Sequence, residues 1–65
     1  MIVDFMRKAE TEEKLYYIAT KNLTVVPQVG TDVTITEEGS SHAVTYTVIY
    51  VKLDADLPKY IVYLS

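Results

Sequence analysis

Along most of this chain apolar and polar residues alternate with a period of two, the spacing of strands that bury one face. The first run, Ile2 to Lys8, sets Val3 and Phe5 on one side and Ile2, Asp4 and Met6 on the other, which suits an edge strand. After the acidic cluster Glu10-Thr11-Glu12-Glu13 comes Leu15-Tyr16-Tyr17-Ile18-Ala19-Thr20, rich in the aromatic and β-branched residues that favour strands. Together the two runs read as a hairpin with a charged tip. A helix over about 11–21 competes with that reading and would make the class α+β. In it Thr11 would be the N-cap, Glu12 and Glu13 would meet the positive end of the dipole, and Leu15, Ile18 and Ala19 would form the buried face. Against the helix, this face extended backwards meets Glu12 and Lys8, and successive aromatic and β-branched residues lower helix propensity.

Beyond Asn22 the pattern is β throughout. Leu23 and Val25 alternate with Thr24, Pro27 interrupts any ladder, and Gly30 permits a turn before Val33 and Ile35 alternate with Asp32, Thr34 and Thr36. The polar stretch Glu37-Glu38-Gly39-Ser40-Ser41 reads as a loop leading to the longest run, Ala43 to Leu53. That run changes phase. Val44, Tyr46 and Val48 share one face, but from Ile49 onward Ile49, Val51 and Leu53 make the opposite face apolar as well, which predicts a bend near Thr47 to Ile49. Asp54-Ala55-Asp56-Leu57-Pro58 reads as a turn, and Tyr60 to Leu64 as a last strand apolar on both faces that must be docked. The expected fold is a single mainly β domain over 1–65, a five-stranded SH3-like or OB-like barrel.

Size sharpens this picture, because a chain of 65 residues buries only about 60% of its unfolded surface and has little stability to spare. The sequence contains no cysteine, which removes disulfides and thiolate zinc sites as staples and leaves self-association as the expected one. The run Val44 to Val51 is uncharged and free of proline, and such a segment must be covered on both sides. With few other strands to cover it and Tyr60 to Leu64, a homodimer is expected. The start of the chain lacks a signal-peptide pattern and no stretch is long and apolar enough for a membrane helix, so a cytoplasmic protein without a membrane partner is expected.

Nine acidic and six basic residues give a net charge of −3, and the basic residues are scattered singly or in one pair. Phosphate backbones demand clustered Lys and Arg, so nucleic acid is not the expected partner. Three consecutive groups invite a chemical reading and none satisfies it. Ser40, Ser41 and His42 with the aspartates at 32, 54 and 56 contain the letters of a triad, without the cleft and oxyanion hole that a triad requires. Asp54-Ala55-Asp56 opens like a calcium loop, but Leu57, Pro58 and Lys59 follow where further ligands are needed. Asn22-Leu23-Thr24 matches a glycosylation sequon as short sequences often do by chance. No catalytic residue, metal or cofactor is therefore expected.

Six tyrosines, at 16, 17, 46, 50, 60 and 63, are the unusual feature of the composition. Tyrosine packs its ring and keeps its hydroxyl wet, and it is favoured at binding surfaces. Neighbouring strand residues point to opposite faces, so Tyr16 and Tyr17 cannot share one core. Tyr16, Tyr17, Tyr50 and Tyr63 are the candidate binding residues. The expected function is a small non-enzymatic protein-interaction module with an unidentified protein partner, and a nucleic-acid-binding β-barrel is the alternative.

Two thirds of the chain also follow a recognisable order: Pro27-Gln28-Val29-Gly30, a strand from Asp32 to Thr36, Gly39, a long strand from Val44 to Asp54, and Ile61-Val62-Tyr63-Leu64. In this it resembles a group of short uncharacterised bacterial and phage proteins with a Pro-x-Val-Gly turn and a closing Val-Tyr-Leu strand. The resemblance implies a small barrel-like fold and a phage or prophage origin, and brings no function with it.

Overall fold

The computed structural model describes residues 1–8, 14–37 and 39–65. Their regular structure is all strand: β1 (Ile2–Lys8), β2 (Leu15–Asn22), β3 (Asp32–Thr36), β4 (Ala43–Asp54) and β5 (Lys59–Leu64). They form one mixed sheet in the order β2-β1-β5-β4-β3. All neighbours are antiparallel except β1 and β5, which run parallel. The sheet curls into a half-barrel, a small β-barrel-like architecture. Its concave side holds Val3 and Phe5 of β1, Ile18 and Ala19 of β2, Ile35 of β3, Val48 of β4, and Val62 and Leu64 of β5.

Two expectations are corrected, and of the two competing readings of the segment before Asn22 the strand is the one observed. β1 is central, not an edge, because the parallel partner β5 takes up the side that β2 leaves open, with Phe5 opposite both Ala19 and Val62. The helix over about 11–21 is replaced by strand from Leu15 to Asn22, where β pairing to β1 buries Ile18 and Ala19 together; positions 11–13 lie outside the described residues. Leu23 to Val26 form no strand. Leu23 and Val26 pack against the core while Val25 is 73% exposed, and the chain instead crosses the end of the half-barrel as a loop.

The loop ends where Thr31 donates its N–H to Gln28 O, a turn that places Gly30 at φ 91°. Gly39 takes φ 84° in the next connection. A Cβ at Gly30 would meet nothing within 4 Å, so a substitution there is opposed by backbone conformation alone. Gly30→Ala is expected to lower stability by about 1–2 kcal/mol in urea unfolding, the penalty of left-handed backbone for an L residue. An unchanged midpoint would contradict it.

Both breaks in alternation are β-bulges. Between Phe5 and Met6 the register shifts so that Ile18 is the extra residue on β2, which puts Ile18 and Ala19 into the core side by side. The second falls between Val48 and Tyr50, within the phase change of the long run. Here β4 changes partner: Ala43 to Thr47 pair with β3, and Val48 onward pairs with β5. The bulge lets Val48 and Val51 both face inward, opposite Leu64 and Val62. Thr47 and Ser65 exchange N–H···O bonds in both directions, so β5 is docked to its end. β5 is paired along both edges, to β1 and to β4, whereas β4 is paired to β3 only as far as Thr47 and to β5 from Val48 onward, so each half of the long strand keeps one edge without a strand partner among the described residues.

Candidate interaction surface

On the convex side, register builds a transverse row. Tyr17 of β2 lies opposite Met6 of β1, Met6 opposite Tyr63 of β5, and Tyr63 opposite Tyr50 of β4. All four point away from the core, since their neighbours in sequence Phe5, Ile18, Val62 and Leu64 are buried in it and Val51, beside Tyr50, packs against it. Tyr50 and Tyr63 stack with centroids 5.5 Å apart and planes 18° from parallel. Tyr17 is 46% and Tyr50 54% exposed, while Met6 and Tyr63 are half-buried. Ile2, Leu15 and Ile49 extend the apolar surface around the row and are also exposed.

A polar chain borders the row. Thr20 donates its hydroxyl to Asp4 Oδ1 at 2.6 Å, so the Tyr17 hydroxyl, 2.7 Å from Thr20 Oγ1, is the donor to it. Lys59 Nζ donates to Asp4 Oδ2 at 2.6 Å. The Lys59 ammonium first, and then the Thr20 hydroxyl, hold the Asp4 carboxyl below the usual carboxylate range, and Asp4 in turn raises Lys59. The carboxylate's contribution to stability is present above pH 3.8 and is lost as pH falls through the depressed native value; that of Lys59 is present below pH 10.5 and is lost as pH rises through its raised value. The stability gap between wild type and Asp4→Asn is thus expected to be widest near neutrality and to narrow at both extremes. Urea titrations at a series of pH values check this, and a gap independent of pH would refute it.

Of the four tyrosines expected from sequence, the structure brings Tyr17, Tyr50 and Tyr63 onto one face and sets Tyr16 apart. Tyr16 lies opposite Arg7, whose guanidinium carbon is 4.9 Å from the ring centroid, and the Lys14 ammonium lies 5.4 Å from it. Two of the basic side chains are thereby held on a ring. Met6, Leu15, Ile49 and Lys8 were missed as partners of the tyrosines. Alternation placed Met6 on the face opposite Phe5, but nothing local showed that β1 joins β5 in parallel.

The other candidates take the plainer reading. His42 is exposed and its backbone N–H donates to Ser40 Oγ at 3.2 Å. Asp54 Oδ1 accepts the N–H groups of Asp56 at 3.2 Å and Leu57 at 3.4 Å, which makes the aspartate pair a hydrogen-bonded turn. Among the described residues no group of three or more His, Asp or Glu is placed to hold a metal, and no helix is long and apolar enough to cross a membrane. Neither a protein-family model, a curated protein nor a solved structure matches the chain.

Proposed function

We propose that this chain is a non-enzymatic protein-interaction module whose contact surface is the convex face around Tyr17, Met6, Tyr63 and Tyr50. The observation that carries the reading is the row itself: where the described residues bury eight side chains in the core, four large residues are spread in register across the opposite face. Tyrosine and methionine are enriched at protein interfaces because they add contact area at small entropic cost and adapt to the partner's shape. The sequence pattern shared with short bacterial and phage proteins supports, as part of the proposal, an accessory role in which a host or virion protein is the partner.

The test is capture from bacterial lysate by immobilised wild type and by the double variant Tyr17→Ser, Tyr50→Ser. Both side chains are about half exposed, so the variant is expected to fold. A defined protein retained by wild type and lost, at least tenfold, with the variant is the expected result. Retention of no protein, or equal retention by both, would overturn the reading.

A further inference from the structure

The convex face is not uniform. Along one side of the tyrosine row the surface dips into a depression of about 520 Å³ lined by Lys8, Leu15, Ile49, Tyr50 and Tyr63. Its origin is local. Lys8 lies opposite Leu15 at the far ends of β1 and β2, and the bulge in β4 sets Ile49 beside Tyr50 on the other flank. Tyr63, on β5 between them, carries the stacked Tyr50 ring at its side. The result is a recess with aliphatic and aromatic walls, within the size range of sites that enclose a side chain or small ligand.

Charge selects the occupant. Of the cations close to the row, Lys59 is occupied by Asp4 and Lys52 lies outside the recess, while no carboxylate among the described residues pairs with Lys8, which lines it. Lys8 is exposed and belongs to the lining, so an ammonium with no carboxylate partner among the described residues borders an otherwise apolar recess. A bare apolar group in the recess would leave that ammonium unmatched, whereas an apolar group next to a carboxylate would satisfy both.

We infer that this recess binds an acidic peptide segment of the partner, with an aromatic or aliphatic side chain inserted between Leu15, Ile49 and Tyr50 and a neighbouring carboxylate on Lys8. The inference rests on reading the convex face as the contact surface, and it names the chemistry of what binds there. Because the whole chain carries a net charge of −3, attraction must come from this local cation, so the affinity for a short peptide is weak and depends on salt.

The probes are acetyl-Asp-Glu-Phe-Glu-Asp-amide and its neutral counterpart acetyl-Asn-Gln-Phe-Gln-Asn-amide, titrated to millimolar concentration into the full isotope-labelled chain. Shifts centred on Lys8, Leu15, Ile49, Tyr50 and Tyr63 with the acidic peptide are expected, with binding at least fivefold weaker for the neutral one. Lys8→Glu is expected to lower the affinity at least tenfold, and Tyr50→Ala comparably. Lys21→Glu, which changes a cation on the concave side beside Phe5, is expected to leave it within twofold. The proposal is overturned by equal affinity for both peptides, by shifts centred elsewhere, or by no shift at all. Tighter binding of the oligonucleotide dT10 at the same residues would also overturn it, in favour of a nucleic-acid ligand. If the acidic peptide fails while the Tyr17, Tyr50 double variant still loses its lysate partner, the ligand class falls and the contact surface stands.

Discussion

Phe5→Ala is expected to leave the chain largely unfolded at room temperature. Phe5 is among the largest fully buried side chains, and it lies between Ala19 on β2 and Val62 on β5, so it joins both neighbours of the central strand. Truncating a buried phenylalanine removes about 3–5 kcal/mol through lost transfer energy and the cavity left behind. A domain of this size has on the order of 3–10 kcal/mol in total. Among the described residues the core has eight buried members, so the loss of its one phenylalanine ring removes a large share of the packing. Circular dichroism with urea titration measures the effect. A cooperative transition displaced by less than about 1 kcal/mol would show that Phe5 does not hold the two halves of the sheet together.

The second large effect separates neighbours in β5. Val62→Asp is expected to abolish folding, because Val62 has no exposed surface, pairs with Phe5 and Val51, and meets no buried cation among the described residues to neutralise a carboxylate. The effective penalty of such a buried charge is several kcal/mol, comparable to the whole stability of the domain. Ile61→Asp, one residue earlier, is expected to fold with a loss of about 1–2 kcal/mol. Ile61 is half-buried on the convex face between Lys52 on β4 and Asp4 on β1, so the Lys52 ammonium offsets the repulsion from an Asp4 carboxylate that Lys59 already neutralises. Thermal unfolding of both variants decides the matter, and similar losses in the two would show that β5 does not divide its faces as described.

That contrast marks what was legible in the sequence. Tyr60 to Leu64 is apolar at every position, so alternation gave no sign of which residues face inward. The division follows from the partners: parallel pairing with β1 aligns Phe5 with Val62, and antiparallel pairing with β4 aligns Val62 with Val51. In β1, by contrast, Val3 and Phe5 were legible as one face, since Asp4 between them could not share their environment. Its central position was not legible, because a charged outward residue is also a mark of edges. Here Asp4 is tolerated in mid-sheet because Lys59 and Thr20 both hydrogen-bond it, and Lys59 is 55 positions away in sequence.

The candidate site divides along the same line. An excess of tyrosine, and the argument that Tyr16 and Tyr17 must point apart, were enough to expect tyrosine at a surface. Which tyrosines meet was set by pairing over long separations, as Tyr17, Met6, Tyr63 and Tyr50 come from four strands. The recess beside them also depends on the β4 bulge, which the sequence showed only as a change of phase.

By itself the sequence determined the strand content, nearly all the strand positions, the turns at Gly30, Gly39 and Asp54, and the break in the long strand. These are local matters: side-chain alternation, backbone freedom at glycine and the capping reach of a short carboxylate act within a few residues. Tertiary structure alone decided the order β2-β1-β5-β4-β3, the parallel join of first and last strands, and the faces of β5. A strand's hydrogen-bonding edges accept any strand of suitable length, so the choice of neighbour is made by the fit of whole faces around one core. That fit sums side chains from all five strands, and no local stretch of sequence contains it.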